Sequence, residues 1–201
     1  MPKKIEKDSS TEERIKAAAR KVFTQKGYAA TRTRDIAEEA GLNLALLNYY
    51  FRSKEKLFEL VMTEKTQQFF GLITPILSNE ATGLEEKIEQ LTQHYLDMLL
   101  NNPDLPMFVL SEIRHNPGRL SKRVSVKELL VNSSFARQLQ EKKPDVEALH
   151  FIITLLGMII FPFIARPVLE TSTVMPSESF NNFILERKKM IPVWVKAILE
   201  T

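Results

Sequence analysis

The chain is 201 residues long, 44% hydrophobic and 26% charged, an ordinary globular balance with enough length for one large or two small cores. It contains no cysteine, which excludes a disulfide framework and any thiolate chemistry, nucleophilic or metal-binding. Its positive excess lies at one end: residues 1–60 hold 13 Lys and Arg against 9 Asp and Glu, whereas residues 61–201 hold 15 against 16, so a polyanion-binding surface is to be sought in the N-terminal part.

The first nine residues form a short basic tail with Lys3, Lys4 and Lys7 and no apolar stretch, so no secretory signal is expected and a cytoplasmic location fits. Ser10 and Glu13 make an S-x-x-E capping box that predicts the start of a first helix. Ile15, Ala18, Ala19, Val22 and Phe23 follow it at helical spacing and give that helix one apolar face. Gly27 is its predicted stop, because glycine alone takes positive φ without cost. Thr33 is the expected cap of a second helix with Asp35 in its first turn, Ile36, Ala37 and Ala40 inside and Gly41 at its end. Asn43 then caps a third helix, Leu44 to about Phe51, and Ser53 a fourth that opens Lys54-Glu55-Lys56.

Beyond that point the pattern is helical throughout, with predicted segments 54–77, 83–101, 104–115, 118–141, 145–166 and 177–200 and no sustained strand alternation. The run Phe151–Ala165 is apolar but only 15 residues long, bounded by His150 and Arg166 and interrupted by Pro162. A membrane span wants about 20 residues, so a buried helix or a subunit interface is the expectation and no membrane partner. No phosphate-binding glycine loop, nucleophile elbow or zinc motif occurs, and no catalytic residue, metal or cofactor is expected. Glu112 three residues before His115 is half a metal site at most.

Two short helices joined only by Gly41-Leu42-Asn43 form a tight helix-turn-helix. Such a module inserts the start of its second helix into the major groove while the preceding helix braces against the backbone. Ile36, Ala37, Leu42 and Leu47 are its expected inner residues, packing with Phe23, Phe51 and Leu57; Leu44, Ala45, Asn48 and Tyr49 or Tyr50 face outward. The stretch 11–60 resembles the DNA-binding domain of the TetR (tetracycline repressor, AcrR-type) family. The matching residues are Phe23, Gly27, Tyr28, Thr33, Ile36, Ala37, Ala40, Gly41, Leu47, Tyr49, Phe51, Ser53 and Lys54, spread over about a quarter of the chain. Two positions depart from the family's L-Y-Y-H-F run: Asn48 stands where tyrosine is usual, and Tyr50 where histidine is.

The resemblance implies an all-α protein, with a helix-turn-helix DNA-binding domain at 1–56 and an effector-binding and dimerisation domain at 57–201. It implies double-stranded operator DNA, a small hydrophobic effector and a second copy of the chain as partners, and a repressor rather than an enzyme. On DNA it places Thr33, Arg34, Leu44, Ala45, Leu46, Asn48, Tyr49, Tyr50, Ser53 and Lys54, the last facing a phosphate at the start of the fourth helix. Asn48 can pair with adenine or donate to phosphate, and apolar Leu44 and Ala45 would read thymine methyls or shape. An effector pocket falls among Phe69, Phe70, Tyr95, Met98, Phe108, Glu112 and His115, where adaptable methionine and aromatic rings suit an apolar ligand. Helices 145–166 and 177–200 are the implied dimer interface. The contrasting reading is a small-molecule-binding helical protein whose DNA-binding module is vestigial.

Overall fold

The computed structural model describes residues 9–115, 117–118, 131–171, 175–176 and 179–200, with the backbone only of His115. The basic tail lies outside the described residues, as does most of the predicted 118–141 helix before its last turns. Among the described residues there is no strand. The helices are α1 (Ser9–Ala30), α2 (Thr33–Glu39), α3 (Leu44–Tyr50), α4 (Lys54–Phe70), α5 (Ile73–Leu77), α6 (Leu84–Asn101), α7 (Leu105–His115), α8 (Ser134–Lys142), α9 (Ala148–Thr171) and α10 (Phe180–Glu200). They fall into two compact units, Met1–Gln67 and Gln68–Thr201.

The first unit reaches eleven residues past the expected boundary at 56, because the early turns of α4 belong to its core. Ile15, Ala19, Val22 and Phe23 of α1 are buried together with Ile36, Ala37, Leu47, Leu57, Phe58 and Val61. The Phe23 ring meets Phe58 edge-on at 5.0 Å, and Tyr28 lies 4.7 Å from Phe58. Arg20 of α1 adds a two-pronged bond to Glu64 of α4, at 2.6 and 3.0 Å. Leu42 and Phe51, expected inside, are half-buried.

The second unit corrects two helix boundaries. The predicted 54–77 helix breaks at residues 71–72, where Gly71 supplies the weak point, and resumes as α5. The predicted 145–166 helix runs on as α9 to Thr171, through both Pro162 and Pro167. By length and composition α9 is therefore long and apolar enough to cross a membrane. What distinguishes it from a free span is a packed face: Phe151, Ile152, Leu155, Ile159 and Phe163 are buried, and α9 contacts α6, α7, α8 and α10.

Pro162 explains a contact that would otherwise look arbitrary. Proline has no N–H, so the carbonyl four residues earlier, that of Met158, loses its helical donor. Arg187 of α10 reaches across and donates to that oxygen at 2.8 Å. Its guanidinium also lies 5.3 Å from the Trp194 ring and 5.6 Å from Phe183, and burial pushes its pKa below the ordinary value. Arg187→Leu should therefore cost about 1–2 kcal/mol in thermal unfolding, the cost of an orphaned carbonyl. The cost should shrink toward zero in a Pro162→Ala background, where the alanine amide returns the missing N–H; equal losses in both backgrounds would separate the two residues.

Candidate nucleic-acid interface

The site is built from its turns. At Gly27 the chain bends with φ 72° and ψ 172°, a region essentially reserved for glycine, so α1 kinks here and its last residues form a separate turn. The start of α2 differs from the expectation. Its cap is Arg32, not Thr33, which is the first helical residue. A capping oxygen is supplied from ahead: Asp35 accepts the Arg32 amide at 2.8 Å, and that bond, assisted by Lys26, holds its carboxyl below the usual carboxylate range.

The turn between α2 and α3 matches the prediction closely. Gly41 has φ 64°, its N–H bonds Glu38 and the next amide, Leu42, bonds Ala37, a complete Schellman ending. Arg14 of α1 donates to the Ala40 carbonyl at 2.9 Å, placing a cation at the negative end of α2. Asn43 caps α3 by accepting the Leu46 amide at 2.8 Å, and Ser53 caps α4 by accepting the Lys56 amide at 3.2 Å.

On α3, Ala45 and Asn48 are exposed, Leu44 and Leu46 half-buried, and Leu47 buried. The two tyrosines separate: Tyr49 is 43% exposed, whereas Tyr50 is only 8% exposed and turned inward beside Leu47, three residues earlier on the same face. Of the two, Tyr49 is the one that faces outward. Thr33 is half-buried and Arg34 exposed. Two of the three acidic residues of α2 are matched from α1, Asp35 by Lys26 at 3.3 Å and Glu39 by Lys21 at 2.7 Å. Arg32, Arg34 and Arg52 are exposed and enter no ion pair among the described residues. Capping oxygens give no pointer to Arg32 and Arg52; cations flanking short helices were the available signal in the sequence.

Lys54, expected to face a phosphate, is bonded within its own unit. Its ammonium donates to the carbonyls of Tyr28 and Thr31, at 2.9 Å each, and lies 4.1 Å from the Tyr28 ring centroid. Next to it, Glu55 accepts the Tyr28 hydroxyl at 2.7 Å.

In the second unit, Phe69, Phe70 and Tyr95 meet, with ring separations of 4.9 Å and 5.8 Å about Phe69. The Tyr95 hydroxyl donates to the Phe69 carbonyl, and burial raises its pKa. Phe108 is buried; Met98 and Glu112 are half-buried; the side chain of His115 lies outside the described residues. A cavity of about 670 Å³ lies elsewhere, lined among others by Val131, Ala136, Gln140, Ala148 and Leu149, and a smaller one of about 140 Å³ lies between α6 and α10. Neither of these two is lined by the expected pocket residues, of which Phe69, Tyr95 and Phe108 serve as core packing.

The sequence profile of the family described as "Bacterial regulatory proteins, tetR family" matches residues 15–61, the span of the capped helices just described. Over 199 residues the chain is 26% identical to "Probable HTH-type transcriptional regulator YttP" of Bacillus subtilis, covering 96% of this chain and 95% of that protein. It is 28% identical over 144 residues to "HTH-type transcriptional repressor KstR2" of Mycolicibacterium smegmatis, covering 65% and 70%. The fold matches that of a TetR-like transcriptional regulator from Rhodococcus sp. RHA1 with a TM-score of 0.63 and 16% identity, over 90% of this chain and 95% of that one. A helix-turn-helix capped and packed in this way, matched over residues 15–61 by the tetR family profile and followed by a second unit that is helical among its described residues, gives the chain the DNA-binding domain of the tetR family and makes it similar along its length to DNA-binding transcriptional regulators.

Proposed function

We propose that the protein is a repressor that holds a pseudo-palindromic operator as a homodimer and leaves it when a small hydrophobic effector binds the second unit. The observation that carries the DNA part is the exposed surface of α3, Ala45, Asn48 and Tyr49, flanked in sequence by the exposed cations Arg34 and Arg52. Arg34 and Tyr49 supply phosphate or base contacts, Asn48 reads a base edge, and Leu44, Ala45 and Leu46 give apolar contact near the start of the recognition helix. Thr33 and Ser53 stand at the helix starts, where amides favour phosphate.

The dimer part rests on α9 and α10. A helix apolar all round is one that something covers. Yet Ile153, Phe161 and Val168 of α9 are 61%, 65% and 70% exposed, and Val193 of α10 is 66% exposed. A second copy presenting the same helices covers both sets at once. It also puts two recognition helices on half-sites about 34–36 Å apart, one turn of DNA, or a multiple of it. Release then requires the effector to bind one dimer geometry more tightly than the other. Repression follows the relative named as a repressor.

The test is a gel shift on the DNA upstream of the protein's own gene, with salt varied and random DNA as competitor. Retained discrimination at physiological salt is expected. Asn48→Ala should lose about 1–3 kcal/mol on the operator with little change on random DNA. Binding that never distinguishes the two DNAs would leave a helical ligand-binding protein with a vestigial module.

A further inference from the structure

An ammonium group carries three donors, and Lys54 spends two of them on backbone. The carbonyls it holds, Tyr28 and Thr31, bracket the short segment just after the Gly27 bend. That segment is gripped twice more: the Tyr28 hydroxyl donates to Glu55 at 2.7 Å, and the Thr31 hydroxyl returns to the Gly27 carbonyl at 2.7 Å. Thr31 is buried, and the very next residue is Arg32, the cap of α2. Two consecutive residues at the start of α4 thus hold the segment from which α2 departs. The Glu55 carboxyl is kept below its usual range, first by the Tyr28 hydroxyl. Turning Lys54 toward a phosphate would strip two carbonyls and an aromatic face of their cation.

We propose that Lys54 is a positioning residue for DNA binding: it fixes the Tyr28–Thr31 segment and hence the start of α2, with Thr33 and Arg34, and does not neutralise a phosphate. This rests on the DNA-binding reading, but its first readout needs no DNA, so the two can fail separately.

Lys54→Met keeps the apolar stem and removes the donors. In the full-length protein without DNA, amide exchange over residues 28–34 should quicken about tenfold, the loss of charge-assisted bonds to a local segment. On operator DNA the affinity should fall while the slope of log K against log salt stays that of the parent. Tyr28→Phe removes no cation, only the hydroxyl bond to Glu55, and should quicken exchange over the same residues; it carries the test should Lys54→Met not fold. A slope shallower by about 0.9, the signature of one lost phosphate contact, would overturn the proposal. So would unchanged exchange over residues 28–34 in both variants.

Discussion

Phe161→Glu is expected to convert the proposed dimer to monomers at concentrations where the parent remains associated. Phe161 stands 65% exposed on α9, and Leu149, Ile153, Gly157 and Phe161 recur every four residues, a single stripe along the helix. Burying a phenylalanine side chain is worth about 1.5–3 kcal/mol. A two-fold interface presents each residue twice, so losing both rings weakens association by about a hundredfold to ten-thousandfold, before the cost of placing a carboxylate there. Sedimentation equilibrium reads the mass directly. A two-half-site operator should lose affinity in parallel, whereas binding to a single half-site should change little. A Phe161→Glu protein that stays dimeric at low micromolar concentration would remove α9 from the interface.

The second large effect is expected from Phe23→Ala. Phe23 is fully buried, edge-on to Phe58 at 5.0 Å and stacked with Tyr28 at 6.4 Å. Removing a buried phenylalanine ring costs about 3–5 kcal/mol. A domain of this size draws only about 3–5 kcal/mol of stability from its core, so the loss is comparable to the whole. Amide exchange across residues 9–67 should approach unprotected rates, and operator binding should vanish, while helical circular dichroism from the second unit persists. Operator affinity within tenfold of the parent would show that the ring is not central to the core.

These residues also mark how much was legible in the sequence. The caps at Asn43 and Ser53, the glycine ending at Gly41 and the buried face of α1 follow from local chemistry, and local chemistry is what a sequence exposes. Tyr50 was partly legible: it shares a helix face with Leu47, three residues earlier, and that spacing separates it from Tyr49. Arg32 was hidden because its capping partner is a carboxylate placed ahead of it. Lys54 and Arg187 were hidden for a different reason. Each satisfies carbonyls in a distant segment, and no spacing rule links residue 54 to 28 and 31, or residue 187 to 158. The expected effector pocket had the least to go on: aromatic and methionine residues at helical spacing fit a cavity wall and a packed core equally well, and Phe69, Tyr95 and Phe108 are buried.

The bond from Arg187 to Met158 has a mechanical consequence. A proline inside a helix leaves a gap in the ladder where bending is cheap. Here the gap is closed by a cation from the adjacent helix, so flexing α9 at Pro162 requires drawing Arg187 off its carbonyl. One of the two proline joints of the long helix is thereby coupled to its neighbour, and at Pro162 α9 and α10 should bend together or not at all.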